Sequence, residues 1–439
     1  MGQPQFQYPR FNDLGQTAFL GLLEGDTVDY TNDKGIWIEQ SPGTLTLTAR
    51  EGDTAPDTEP GVTFNAVGAP LLNNTGQIAF LATLTGTGIT GTNNRGIWMG
   101  HPGTLQLTAR TGDAAPGTEP GLVFSNLTYP SINDAGQVAF FANINGPGIT
   151  NSNNSGIWTG PSAAPQLLIR EGAAAPGNEP GVVFSGFGGP SLNRAGNVAF
   201  YGVVTGPGVF PTNNTGIWSQ GGGTLEQIVR EGDHAPGTNP GVTFATFDRP
   251  DTIVLNGAGQ LAFLGWLTGI DVNTTNDQGI WATDIDGNLH LVLREGSLFD
   301  VSDDPLIEDL RTVSSMGMHV GTEDGRPVGF NNAGQIALLL TFTDGTSGVF
   351  VANIGLPATS TATASFCIND LNRSHNWNLT GPQPLTLKPT TTATTTSASK
   401  TSTPSPATGT QYTASPSGAG FRWPTSPNPQ RLLPPSYTP

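Results

Sequence analysis

The sequence predicts an all-β fold, a six-bladed β-propeller made of four-stranded repeats of about 60 residues, and two observations carry that prediction. Glycine and proline supply 60 and 36 of the 439 residues, and these two residue types favour helix least. A segment of the form Asn-x-x-Gly-Gln-x-Ala-Phe recurs six times with small variations, and its first glycine is Gly15, Gly76, Gly136, Gly196, Gly259 and Gly334 in turn. Because one four-stranded sheet cannot bury both of its faces alone, such copies stack, and radial stacking gives a propeller. The alternative is a linear β-solenoid, whose rungs are shorter and lack a hairpin signal in each unit.

The second repeat shows the four predicted strands most clearly. Residues 62–67, 77–84, 96–100 and 105–110 have strand patterns, and the last of these begins with the alternation of a half-buried strand, Leu-Gln-Leu-Thr-Ala. Residues 73–76, Asn-Asn-Thr-Gly, join the first two strands. Asn at the first position and Gly at the fourth favour a type I turn that ends in a left-handed glycine, a common hairpin connection.

The repeats divide the chain into a propeller, residues 1–355, and a tail, residues 356–439. The blades are predicted near residues 3–61, 62–121, 122–181, 182–241, 242–297 and 320–355, with residues 298–319 as an insertion. The tail is rich in Ser, Thr and Pro, so it cannot bury enough apolar surface to offset its ordering entropy and is expected to be mostly disordered. Blade six lacks a fourth-strand motif, and we expect the β-prone stretch 358–368 to dock as its outer strand.

The repeat resembles that of a known group of proteins. Pro-x-x-Asn-x-x-Gly-Gln-x-Ala-Phe followed by Gly-Ile-Trp looks like the repeat of TolB-type, WD40-like propellers. Together with Arg-Glu-Gly-Asp it is similar to the units of exported bacterial tandem-repeat proteins, over residues 3–355. The resemblance implies a propeller, export and an extracellular or cell-surface location, and it implies no activity. The first ten residues contain no apolar stretch fit for a signal peptide, so a trimmed or partial product is expected.

Composition disfavours several functional classes. With 17 basic and 34 acidic residues the net charge is −17, which repels a nucleic-acid backbone. No apolar run is long enough for a membrane span. A single cysteine, Cys367, excludes an intramolecular disulfide and a thiolate metal cluster, and the five histidines occupy unrelated positions in the repeat. The protein is expected to be a monomer. It is also expected to bind no cofactor, apart from the calcium ion considered below.

Two residue series recur once per repeat and are interpreted as structural. The tryptophans of the Gly-Ile-Trp motif are Trp37, Trp98, Trp158, Trp218 and Trp281. They are expected to pack between blades, since the sixth repeat substitutes Phe350; a carbohydrate platform is the alternative. The arginines that end the fourth strands are Arg50, Arg110, Arg170, Arg230 and Arg294. They are expected to form a repeated ion pair that fixes a loop to the next blade.

The best candidate binding residues lie on the long polar loops, which emerge on one face of a propeller. Their carboxylates are Asp53, Glu59, Asp113, Glu119, Glu179 and Asp233. Oxygen ligands on flexible loops suit Ca²⁺, although no calcium-loop motif is present and the metal is left open. The sequence thus favours a non-catalytic exported or cell-surface propeller that binds a protein partner, glycan or ion through its loop face, with no catalytic residues assigned. The alternative is a glycan-acting hydrolase or lyase with acidic residues at the central channel.

Overall fold

Six antiparallel sheets follow one another along the chain, one for each sequence repeat. The computed structural model describes residues 6–41, 43–247, 253–302, 306–318, 329–354 and 365–366. The chain divides into two units, residues 1–389 and 390–439, and all described residues belong to the first. The predicted disordered tail lies outside the described residues, except for residues 365 and 366.

The strands are grouped into sheets that we call blades one to six. Blade one contains β1 (Phe6–Phe11), β2 (Thr17–Leu22), β3 (Lys34–Ser41) and β4 (Thr44–Arg50). Blade two contains β5 (Val62–Val67), β6 (Leu71–Leu72), β7 (Ile78–Gly86), β8 (Arg95–Gly100) and β9 (Gln106–Arg110). Blade three contains β10 (Val123–Ile132), β11 (Gln137–Asn145), β12 (Ser155–Pro161) and β13 (Gln166–Arg170).

The second half of the chain repeats this arrangement. Blade four contains β14 (Val183–Phe187), β15 (Ser191–Leu192), β16 (Val198–Thr205), β17 (Thr215–Ser219) and β18 (Glu226–Arg230). Blade five contains β19 (Val242–Phe247), β20 (Val254–Leu255), β21 (Leu261–Gly269), β22 (Gln278–Thr283) and β23 (Leu289–Arg294). Blade six contains β24 (Leu298–Asp300), β25 (Leu310–Met318), β26 (Gln335–Phe342), β27 (Ser347–Asn353) and β28 (Ser365–Phe366).

The hairpin predicted in each repeat forms around an asparagine and a glycine. In blade two the Gly76 N–H donates to the Asn73 carbonyl oxygen at 3.2 Å, and Gly76 has a φ of +80°, which glycine adopts without strain. The Asn73 side-chain oxygen accepts the N–H groups of Thr75 and Gln77. A turn satisfied by its own side chain fixes the register of β6 against β7, with Leu71 opposite Ala79.

Apolar cores lie between successive blades, and each blade uses its two faces differently. We call the face toward the next blade in the chain the front face, and the face toward the preceding blade the back face. In blade two, Ala79 and Ile97 of the front face pack in a core with blade three. Phe80 and Trp98 of the back face pack in a core with blade one. This alternation follows from the period-2 geometry of a strand, which sends neighbouring side chains to opposite faces.

Tryptophan anchors the back face of the interior blades. Trp98, Trp158, Trp218 and Trp281 are fully buried. The indole N–H of Trp158 donates to the Pro116 carbonyl oxygen at 2.9 Å, in the connection that precedes blade three, and the other three make the same bond. Because a buried indole N–H needs an acceptor, the Trp and Pro of each repeat act as a pair.

Blade six departs from the other blades. Residues 298–319 were expected to be an insertion before blade six, but residues 298–318 contain β24 and β25, which belong to the blade-six sheet, and β25 pairs with β26. Val313 and Met316 of this segment are buried in the core with blade five, which gives it a reason to form strand without the repeat motif. β28 pairs with β27, as expected for the outer strand within 358–368, and the rest of that stretch lies outside the described residues.

The fold is therefore the all-β, six-bladed β-propeller that the repeat predicts. The segment Gly-Gln-x-Ala-Phe begins the second strand of its blade, next to the first strand. Among the described residues, no helix has the length and apolar character that crossing a bilayer requires.

Candidate functional site

Two kinds of loop meet at one end of each blade, and an arginine joins them. One loop connects the second and third strands, and the other connects the fourth strand to the next blade. Arg110, at the end of β9, donates from Nε to the Asn93 carbonyl oxygen of the first loop at 2.8 Å. Its Nη1 donates to Glu59 of the preceding connection at 2.8 Å. The side chain of Arg110 is 6% exposed, so its guanidinium group connects the two loops from the buried side.

Arg170 repeats this arrangement: its Nε donates to the Asn153 carbonyl oxygen at 3.1 Å, and its Nη1 makes an ion pair with Glu119 at 2.8 Å. Arg230 donates from Nε to the Asn213 carbonyl oxygen and from Nη1 to the Asn178 side chain at 2.9 Å. Arg50 and Arg294 donate from Nε to a loop carbonyl at 2.7 Å each. Within the described part of the chain, no carboxylate pairs with either of these two. Arg294 therefore keeps terminal N–H groups available.

The predicted binding carboxylates are spread over successive junctions between blades. Glu59 and Glu119 are the ion-pair partners of Arg110 and Arg170, and the hydrogen bond from Arg110 lowers the pKa of Glu59. Asp233 accepts the N–H of Arg230 at 2.7 Å. The remaining predicted residues, Asp53, Asp113 and Glu179, are exposed. Among the described residues, no group of three or more His, Cys, Asp or Glu side chains could hold a metal ion.

A second acidic series, which the sequence analysis did not nominate for binding, follows the arginines; it is buried at Glu51, Glu171 and Glu231 and partly buried at Glu295. In blade three the Glu171 carboxylate accepts the N–H groups of Asn154 and Ser155, both at 2.9 Å, and so closes the loop before β12. In blade five the corresponding residues are Glu295 and Asp277, two carboxyl groups within hydrogen-bonding reach. Burial and the neighbouring Asp277 raise the pKa of Glu295.

A cavity of about 740 Å³ lies on this loop side, between blade five and blade six. It is lined by Thr274, Thr275, Asn276, Arg294, Glu295, Gly296, Ser297, Thr312, Val313, Ser314 and Thr343. One oxygen of Glu295 is buried and has no hydrogen-bond partner among the described residues. The cavity thus combines an arginine that has no carboxylate partner among the described residues with a carboxyl group that lies against Asp277.

The cavity exists because the repeat is broken at this junction. Ser297 follows Arg-Glu-Gly where the Arg110 motif has Asp113, and Val313 takes the register position that Phe124 has in blade three. The loop between the second and third strands is also shorter: residues 343–346 replace the longer loop 146–154 of blade three, whose Ile149 packs on the interblade core. Smaller side chains and a shorter loop therefore leave space at this junction.

The chemistry of the lining suits a small polar ligand. Hydroxyl groups from both blades, an amide, a guanidinium and a carboxyl group can donate and accept hydrogen bonds from several sides. The carboxyl pair does not suit glycoside hydrolysis, which needs the two groups about 5–10 Å apart, because Glu295 and Asp277 are in hydrogen-bonding reach of each other. A pair of the same kind, Glu51 with Asp33, occurs in blade one, so the pairing is a feature of the repeat.

The sequence analysis predicted binding on loops of the type that borders this cavity, but it named other residues. Arg294 was interpreted as structural, and Glu295, Ser297 and Thr343 were not singled out. The available signal was the break in register after Arg294 and the short turn of the sixth repeat. A search for the least regular junction would have found both.

Several solved structures are similar to this chain, at low sequence identity. The β-propeller domain of the Trilobed protease from Pyrococcus furiosus is 10% identical, with a TM-score of 0.38 over 83% of this chain and 91% of that chain. Pyrococcus horikoshii acylaminoacyl peptidase is also 10% identical, with a TM-score of 0.38, and the match covers 83% of this chain and 49% of the peptidase chain. Trypanosoma rangeli sialidase in complex with sialic acid is 10% identical, with a TM-score of 0.30 over 79% of this chain and 54% of the sialidase.

No curated protein sequence matches the chain. The model of one sequence family matches residues 5–363, the region that contains the strands from β1 to β27. On that match the chain belongs to the family of unknown function DUF7453.

Proposed function

We propose that the protein is a non-catalytic propeller that binds a polyhydroxylated ligand, a glycan, in the cavity between blade five and blade six. The observation that carries this proposal is the cavity itself, which has a polar lining and a volume in the range of small-molecule sites. An exported or cell-surface location, where glycans are accessible, belongs to the same proposal. Calcium enters it only as an additional ligand to be tested.

Arg294 is the residue on which recognition depends most in this proposal. Its Nε is held by the Asn276 carbonyl oxygen at 2.7 Å, which fixes the plane of the guanidinium. The other N–H groups are then oriented to donate to ligand oxygens, and a planar fork with a fixed stem loses little entropy on binding. Hydroxyl groups of Ser297 and Thr343 supply further donors and acceptors.

The test is a glycan array followed by titration calorimetry of the best ligand, with Arg294→Gln and the matched control Arg230→Gln. Both variants lose the Nε hydrogen bond to a loop carbonyl, but only Arg294 lines the cavity. We expect Arg294→Gln to weaken binding at least tenfold and Arg230→Gln to leave it unchanged.

Equal loss in the two variants, or no glycan bound by the wild-type chain, would contradict the proposal. Release of a cleaved product from the bound glycan would contradict its non-catalytic part. The same titrations in calcium and in a chelator show whether the ion contributes.

A further inference from the structure

The interior junctions all use the same pair of surfaces. The central residue of Gly-Ile-Trp lies on the front face, and Ile36, Ile97, Ile157, Ile217 and Ile280 are each fully buried by the next blade. On the back face, Leu105 of blade two is 7% exposed and Trp98 is fully buried by the preceding blade. Front face against back face is thus an interface that this sequence forms five times within one chain.

The two terminal faces carry the same residues without a neighbour. Val349, which corresponds to Ile97 on the front face, is 49% exposed in blade six, and Leu339 beside it is 58% exposed. On the back face of blade one, Leu45 and Leu47 are 56% and 41% exposed, and Trp37 is only partly buried. The described apolar cores join each blade to the next in the chain, and none of them joins blade six to blade one.

A ladder of buried asparagines stops at the same two places. Each turn asparagine donates from Nδ2 to the carbonyl oxygen of its equivalent in the next blade, at 2.9–3.1 Å, in the order Asn12, Asn73, Asn133, Asn193, Asn256 and Asn331. Asn331 is exposed and its Nδ2 donates only within its own turn, to Gln335, among the described residues. The Asn12 carbonyl oxygen accepts the N–H of Gly15 in its own turn, and no asparagine side chain in the described part of the chain donates to it. One end of the ladder offers a donor and the other an acceptor.

We propose that the front face of blade six binds the back face of blade one of a second copy of this chain. The partner is identified by the chemistry of the five interior junctions: a front face of this repeat is covered by a back face of this repeat. The contact is head-to-tail, because the two surfaces differ, and a head-to-tail contact grows into a chain unless its rotation closes a ring. At the new junction Val349 lies against the aromatic back face of the partner's blade one, and Asn331 donates to the carbonyl oxygen at the free end of the ladder.

Net charge sets the conditions for this association. The chain carries −17, so two copies repel each other in low salt while the apolar faces attract. Salt screens the repulsion and leaves the apolar contact in place. Association therefore increases with ionic strength, in contrast to an association driven by ion pairs.

The first experiment is sedimentation velocity of the full chain over a hundredfold range of concentration, at low and at high salt. We expect the mass to rise with concentration, and to rise further in high salt. Leu47→Lys and Val349→Lys each place a charge on one terminal face and should lower the self-association at least tenfold. Ile285→Lys is the matched control, since Ile285 is 56% exposed in a turn of blade five. A single-chain mass throughout, the monomer that the sequence predicts, would overturn the proposal.

A cross-linking experiment identifies the surfaces that meet. Leu47→Cys and Val349→Cys are prepared separately in a Cys367→Ser background, and a short bismaleimide cross-linker is added. A linked dimer is expected when the two variants are mixed and not from either alone. A double variant that links only within one chain would instead show that blade six closes on blade one of the same molecule, and would overturn the second-copy contact.

Discussion

The junction between blades two and three and the junction between blades five and six are built from corresponding residues, but the second has smaller side chains and a shorter loop beside the cavity described above. In the first, Phe124 contacts Trp158 with ring centroids 5.0 Å apart, and the loop residue Ile149 packs against the same core. In the second, Val313 stands at the position of Phe124, and Phe350 replaces the tryptophan. The phenyl ring of Phe350 has no N–H to donate, unlike an indole ring. The connection before blade six contains no Pro-Gly sequence whose carbonyl oxygen could accept one.

The difference shows how this repeat can acquire a site without changing its fold. Phe299 of β24 supplies the ring that contacts Phe350, with centroids 4.9 Å apart, so the apolar core of the last junction stays closed. The polar loops above that core lack the larger side chains of the junction between blades two and three, but they retain Arg294 and Glu295. Stability then resides in the core, and the loop layer is free to vary.

The largest expected effect concerns the ring that one junction has and the other lacks. Phe124→Ala removes a side chain that is 2% exposed and touches Phe140 and Trp158, and should lower the free energy of unfolding by about 3–5 kcal/mol. Val313→Ala removes only two methyl groups and should cost about 2 kcal/mol. Urea unfolding of both variants measures the difference.

Val313→Phe is the converse substitution and sharpens the same comparison. A ring at this position can extend into the cavity, so we expect it to cost no more than about 1 kcal/mol. A cost above that of Val313→Ala would mean that the space beside Val313 is not available to a side chain, and the account of how the cavity arises would fail.

The arginine series gives the next effect in size. Arg110→Ala breaks the ion pair with Glu59 and the hydrogen bond to the Asn93 carbonyl oxygen, and should cost about 1–3 kcal/mol because the guanidinium is largely buried. Arg294→Ala breaks one hydrogen bond and should cost about 1 kcal/mol. Thermal unfolding of the two variants side by side provides the measurement, and equal losses would indicate a partner for Arg294 beyond the Asn276 carbonyl.

The sequence predicted what the repeat encodes and missed what depends on its interruption. Strand positions, the turn at Asn73 and Gly76, and burial of Trp98 follow from local pattern and recur in every regular unit. The cavity follows from side chains that are smaller than their equivalents, and its size is set by three segments that are distant in sequence. β24 and β25 carry no repeat motif, and their pairing became evident only with the apolar core that they complete.

The smallest expected effect is a difference in pH dependence between Glu59 and Glu295. The hydrogen bond from Arg110 lowers the pKa of Glu59, so the stability it contributes is present above the unfolded pKa of about 4.3 and is lost as the pH falls through the lowered value. Burial and Asp277 raise the pKa of Glu295, so its contribution is present below that unfolded pKa and is lost as the pH rises through the raised value. Glu59→Gln should therefore destabilise the chain at neutral pH and less so in acid, whereas Glu295→Gln should be neutral or stabilising at neutral pH. Both effects on stability are expected to be small, because solvent screens Glu59, which is exposed, and Glu295, which is only partly buried. Urea unfolding at about pH 4 and pH 7 measures the free energy of unfolding of both variants.

If Glu59→Gln and Glu295→Gln change the free energy of unfolding in the same direction, Glu295 is stabilised in the same way as Glu59. The contrast between the two junctions would then rest on the volume of the cavity alone.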